Sequence, residues 1–82
     1  MTRSEVESTI HGVLETVLGR RIGSTENPRR GDETGWDSLK HVELMFSIED
    51  ALGIQFGPEE LGELDSYDKL VACAQTLTRA NT

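Results

Sequence analysis

A chain of 82 residues with 35% hydrophobic content and four aromatic side chains can build one small core and little besides, which argues against an enzyme with a deep site of its own. The net charge of −7 is concentrated: residues 31–68 hold eleven acids against Lys40 alone, whereas the first thirty residues hold five arginines against four acids. Such a field repels phosphate backbones and draws basic protein surfaces, so protein partners are expected and nucleic acid is not.

The first helix is expected over residues 5–18. Ser4 and Glu7 have capping-box spacing, and Val6, Ile10, Val13, Leu14, Val17 and Leu18 recur on one face. Gly12 weakens that helix by about 1 kcal/mol, which packing can absorb. Residues 19–35 form a long polar connection with Asn27-Pro28, Arg29-Arg30 and four glycines. Ile22 is its only aliphatic residue, so it is expected to lie loosely over the surface. A second helix is predicted over residues 38–52, with Gly53 suited to a left-handed stop. After Ile54-Gln55-Phe56, Pro58 can open a short helix, and Ser66 can cap a last one. That last helix carries Tyr67, Leu70, Val71, Ala74 and Leu77 on one face. No segment alternates with period two for long enough to make a strand. The class is all-α, with three main helices and one short one in a single domain over residues 1–82.

At 100° per residue the second helix resolves into three ridges. His41, Leu44, Ile48 and Leu52 form an apolar one, assigned to the core. Leu39, Glu43, Phe46 and Asp50 form another, and Ser38, Val42, Met45 and Glu49 a third. Both of these mix large apolar groups with carboxylates, a pattern suited to transient docking on a basic, partly apolar partner. Glu49 and Asp50 stand in the last turn, where the macrodipole disfavours negative charge by roughly 0.3–1 kcal/mol per exposed group. A partner is the expected explanation; ordinary surface acids tolerated at small cost are the alternative.

Asp37 is the expected N-cap and Ser38 the first residue of that helix, exposed at its positive end. A phosphodiester on Ser38 would lie against free backbone N–H groups and a favourable dipole. From Asp37-Ser38-Leu39 alone, a plain polar start to a helix is the better account of the tripeptide.

The run Gly35-Trp36-Asp37-Ser38-Leu39-Lys40-His41-Val42-Glu43-Leu44 resembles the phosphopantetheine attachment segment of the acyl carrier protein family. The likeness continues through Ile48-Glu49-Asp50-Ala51-Leu52-Gly53-Ile54, Pro58-Glu59-Glu60-Leu61 and Ser66-Tyr67-Asp68-Lys69-Leu70-Val71. The resemblance implies a four-helix bundle with a long first loop, in which a phosphopantetheinyl transferase moves 4′-phosphopantetheine from coenzyme A to Ser38. Asp37 would assist there. Cargo would ride as a thioester, put on by an acyl- or aminoacyl-loading ligase or transferase and presented to downstream biosynthetic enzymes of fatty-acid, polyketide or nonribosomal type. Leu39, Val42, Glu43, Phe46, Glu49 and Asp50 would face those partners, in agreement with the two mixed ridges. The rival expectation is an acidic helical interaction module without a prosthetic group.

The string Trp36-Asp37-Ser38-Leu39-Lys40-His41 resembles free-standing carriers of specialised pathways more than the housekeeping fatty-acid carrier. Lys40 and Ala51 stand where many fatty-acid carriers have acids, and the Gly-Gly-x-Ser string common in peptidyl carriers is absent. Trp36 is expected to replace the loop's missing apolar anchors. Phe46 is expected to narrow the way between helices, favouring a short or polar cargo left outside the bundle.

Other chemistry-bearing residues have plainer readings. His41 is turned roughly 60° from Ser38 on the helical wheel, so a structural histidine is expected rather than a base in a Ser–His pair. His11 is expected to face solvent without a partner. Cys73, beside Leu70, Ala74 and Leu77, is expected as a small buried thiol, and a lone cysteine excludes an internal disulfide. The acids after Gly57 lack calcium-loop spacing, so no metal is expected. Without an 18-residue apolar run or a signal-peptide pattern in residues 1–10, a cytoplasmic monomer away from membranes is expected.

Overall fold

Two overlapping helix starts are written into Thr2-Arg3-Ser4-Glu5-Val6-Glu7, because Thr2/Glu5 and Ser4/Glu7 both have capping-box spacing. The upstream start prevails in the computed structural model, which describes residues 2–80. Helix α1 spans Arg3–Leu18, and Thr2 Oγ1 accepts the Glu5 N–H at 3.2 Å. Starting two residues early lets Thr2 O accept the Val6 N–H at 3.1 Å, a pairing that a Ser4 cap would forgo. Val6, Ile10 and Leu14 are buried, and Val13, Val17 and Leu18 pack half-buried against the same core. Gly19 ends the helix in the left-handed region.

Helix α2 spans Ser38–Leu52, α3 spans Pro58–Leu61, and α4 spans Tyr67–Ala80. Among the described residues the class is all-α, a helical bundle of acyl carrier type. An isolated antiparallel bridge between Arg29 and Ser66 is the sole strand-like pairing among the described residues. Helix α1 is the spine, packing against both α2 and α4. His41, Leu44, Ile48 and Leu52 all turn inward, and Leu70, Val71 and Ala74 join the same core from α4. Gly53, at φ 66°, stops α2 as expected. Pro58 opens α3, whose Glu60 carboxylate accepts the Gly57 N–H at 3.0 Å. Ser66 Oγ accepts the Lys69 N–H at 3.4 Å ahead of α4. No helix among the described residues is long and apolar enough to cross a membrane.

The connection between α1 and α2 corrects the expectation of a loose loop. Its polar residues bond inward. Arg20 forks onto Glu33 with two bonds of 2.9 Å and reaches Glu26 at 2.9 Å. Ile22 is buried and donates its N–H to Glu15 at 2.9 Å. Further along, Pro28 O accepts the Tyr67 N–H at 2.9 Å and Asn27 Oδ1 accepts the Asp68 N–H at 3.0 Å. A 3₁₀ turn at Arg30–Asp32 is fastened where the Arg30 N–H donates to Asp65 O at 2.8 Å. These bonds stitch the connection to the start of α4 and hold the approach to α2 in one place.

Candidate functional site

Three residues define the entrance to α2. Asp37 takes extended backbone angles and its Oδ1 accepts the Lys40 N–H at 2.8 Å, so it is the N-cap. Ser38 follows as the first helical residue and is exposed. Among the described residues no protein group accepts the N–H of Ser38 or Leu39. The third member, Arg30, comes from the 3₁₀ turn and donates Nη2–H to Ser38 Oγ at 3.1 Å. An accessible hydroxyl, two open backbone donors and a guanidinium form a donor set suited to a phosphate ester.

Leaving that tip along α2, the side chains separate by face. Leu39 is 68% exposed and Phe46 66%, and Val42, Glu43 and Asp50 are exposed as well. Together they form an apolar strip edged with carboxylates. Glu43 is not a free charge, since Lys40 Nζ lies 3.4 Å from it. Two assignments to the mixed ridges need correction. Met45 is only 2% exposed and belongs to the core. It lies about 40° from His41 on the wheel, at the margin of the apolar arc, and a flexible thioether chain at that margin can turn inward. Glu49 is half-buried and its carboxylate accepts the Phe56 N–H at 2.7 Å. Its unfavourable place at the end of α2 is offset by capping the segment that follows, so it has an internal role.

His41 lies beneath this strip, 6% exposed, with both ring nitrogens engaged. Trp36, 3% exposed, donates its indole N–H to Nδ1 at 3.0 Å, which leaves the proton on Nε2 to be donated to Leu61 O. His41 therefore has no nitrogen with which to activate Ser38. The pair ties the loop, α2 and the end of α3 together, and above it opens a cleft of about 230 Å³ between α2 and α3. Val42, Met45, Phe46, Phe56 and Leu61 give the cleft an apolar lining.

Two further expectations change. His11 does not face solvent alone: Nε2 lies 2.8 Å from Ile22 O, and the ring meets Tyr67 edge-on at 6.4 Å. Cys73 is half-buried rather than enclosed, and burial, reinforced by Glu60, pushes its thiol up to about 11. The site residue missed entirely in the sequence is Arg30. It sits in an aperiodic loop, and its approach to Ser38 depends on the long-range bond to Asp65.

Residues 8–74 match the model of the family described as "phosphopantetheine attachment site". The chain is also 28% identical over 79 residues to "D-alanyl carrier protein 1" of Lactiplantibacillus plantarum, covering 94% of this chain and 99% of that protein. With its helical bundle and a match over most of its length, the chain belongs to the phosphopantetheine attachment-site family of carrier domains.

Proposed function

We propose that the chain carries an acyl or aminoacyl group as a thioester on a 4′-phosphopantetheine arm attached to Ser38. The exposed Ser38 hydroxyl at the open end of α2 is the observation that supports this reading most directly. In the modification, Ser38 Oγ forms a new P–O bond and the bond from that phosphorus to the 3′,5′-ADP portion of coenzyme A breaks. The hydroxyl proton passes to a base of the transferase. Asp37 holds the helix tip in shape, and Leu39, Val42, Glu43, Phe46 and Asp50 serve as the surface on which the transferase, a loading enzyme and downstream enzymes dock. The arm supplies the terminal thiol on which cargo is exchanged; this chain contributes attachment, presentation and docking.

The relative named as a D-alanyl carrier protein makes small aminoacyl groups the first cargo class to test. The modest cleft beside Phe46 accords with a short cargo held outside the bundle. Chemical-shift changes spread through the core on loading a long acyl chain would count against that cargo class. Intact mass after incubation with coenzyme A and a broad-specificity phosphopantetheinyl transferase tests the carrier reading. One added arm is expected on the wild-type chain and none on Ser38→Ala, with the helical spectrum retained. A wild-type mass left unchanged under conditions that modify a control carrier overturns the reading in favour of an arm-free interaction module.

A further inference from the structure

We propose that Arg30 is a phosphate-binding residue that grips the phosphodiester at the root of the arm. The inference rests on the reading of Ser38 as the attachment point. Its starting observation is the 3.1 Å bond from Arg30 Nη2 to Ser38 Oγ, made across eight residues from a different element.

The chain has fifteen acids for eight Lys and Arg, yet no carboxylate among the described residues pairs with Arg30 within 4.0 Å. Among the described residues Arg21 and Arg29 also lack a carboxylate partner, but Arg30 is the one whose guanidinium reaches a hydroxyl instead. Arg20, in the same connection, is committed to Glu26 and Glu33. Arg30 spends its guanidinium on a neutral hydroxyl, a weak acceptor for a group whose planar fork suits carboxylate or phosphate. Esterification would place anionic oxygens one phosphorus atom beyond Oγ, where the fork can take them.

The backbone presents that fork from a fixed frame. The Arg30 N–H donates to Asp65 O at 2.8 Å, and Arg29 O accepts from Asp32 and Glu33 at 3.0 and 3.1 Å. Arg29 itself bridges to Ser66. Little loop entropy remains to be lost when an anion arrives.

Electrostatics supplies the need. Asp37 precedes Ser38 directly, so a phosphodiester here stands beside a carboxylate in the acidic half of the chain. Two open amides and a helix end offset part of that repulsion; a guanidinium in contact offsets more. Arg30 thereby fixes the arm's root on the side of the 3₁₀ turn and narrows the directions in which the arm can leave. The grip weakens as salt rises.

The test uses the holo-protein, with attachment first established by intact mass. Phosphorus NMR of the phosphodiester and side-chain nitrogen–proton spectra of arginine are recorded from low to high salt. The wild type is compared with Arg30→Gln, Arg30→Lys and the control Arg3→Gln, which removes a surface pair with Glu7. Conversion from apo to holo should shift the Arg30 guanidinium signals. Arg30→Gln should displace the phosphorus resonance and abolish its salt dependence, Arg30→Lys should restore part of both, and Arg3→Gln should change neither. Amide spectra establish that each variant is folded. Superimposable phosphorus signals for wild type and Arg30→Gln across the salt series, with the arm attached, overturn the clamp and leave the carrier reading standing. Absence of the arm from the wild type overturns both.

Discussion

Trp36 and His41 are joined by an indole-to-imidazole hydrogen bond of 3.0 Å, with their rings inclined at 24° and their centroids 6.1 Å apart. The contact is nearly free of solvent, and the second imidazole nitrogen serves Leu61 O. One side chain thus satisfies a donor from the loop and an acceptor from α3.

Replacing His41 by Phe keeps the ring and removes both partners. A buried donor and a partly buried acceptor are then left unpaired, at roughly 1–3 kcal/mol each. Leu61 is itself exposed, so water can serve its carbonyl in part, and we expect His41→Phe to lower stability by about 2–4 kcal/mol, below the full sum. Urea unfolding followed by the fluorescence of Trp36, the chain's only tryptophan, measures it. A midpoint equal to wild type would show that the pair contributes nothing.

Glu49 and Asp50 are adjacent acids in the last turn of α2, and the structure gives them different work. Glu49 holds the Phe56 N–H at 2.7 Å, whereas Asp50 is exposed. Glu49→Ala is expected to cost about 1–2 kcal/mol, because a charged acceptor is lost from a partly buried donor. Asp50→Ala should be neutral or slightly stabilising, since it removes an unfavourable interaction with the helix dipole. Equal costs for the two in the same urea series would refute the distinction.

The contrast also shows which parts of the molecule were legible in its sequence. Asp37 as a cap, Gly53 as a stop and Pro58 as a start obey rules that act within a few residues, and each was readable. The apolar arc of α2 was readable too, except at its margin, where Met45 turned inward. The contacts of Glu49 with Phe56, His11 with Ile22, and Arg30 with Ser38 span seven to eleven residues across changes of element. No local periodicity encodes them. The loop misled for the same reason: a run with one aliphatic residue looks unanchored until its charges and amides find partners at Glu15, Asp65 and Tyr67.

On the proposed docking strip, charge reversal should act on encounter rather than on folding. Glu43 and Asp50 are exposed, so Glu43→Lys with Asp50→Lys is expected to leave thermal stability within about 0.5 kcal/mol. The rate of arm transfer or loading should fall by about tenfold at low salt and recover toward wild type as salt screens the field. Unchanged rates at low ionic strength would remove these acids from the docking surface.

Cys73 offers a prediction in pH. Its thiol is pushed up to about 11 from an ordinary value near 9, first by burial and then by the neighbouring Glu60. At pH 8 only about one thiol in a thousand is then ionised, so alkylation of Cys73 should be slow. The terminal thiol of an attached arm, free in solvent, should react first and allow selective labelling. The same shift fixes the sign of the effect on stability. The folded state keeps its proton at pH values where the unfolded chain has lost it, so the unfolded state binds fewer protons there. The contribution is complete below about pH 9 and disappears as pH rises through about 11. Tyr67 is also pushed up by burial and titrates in the alkaline range, so wild type must be compared with Cys73→Ser, which retains Tyr67. Between pH 8 and 11 the wild type should lose stability more steeply than the variant, and parallel curves would mean that the thiol ionises as freely in the folded chain as in the unfolded one.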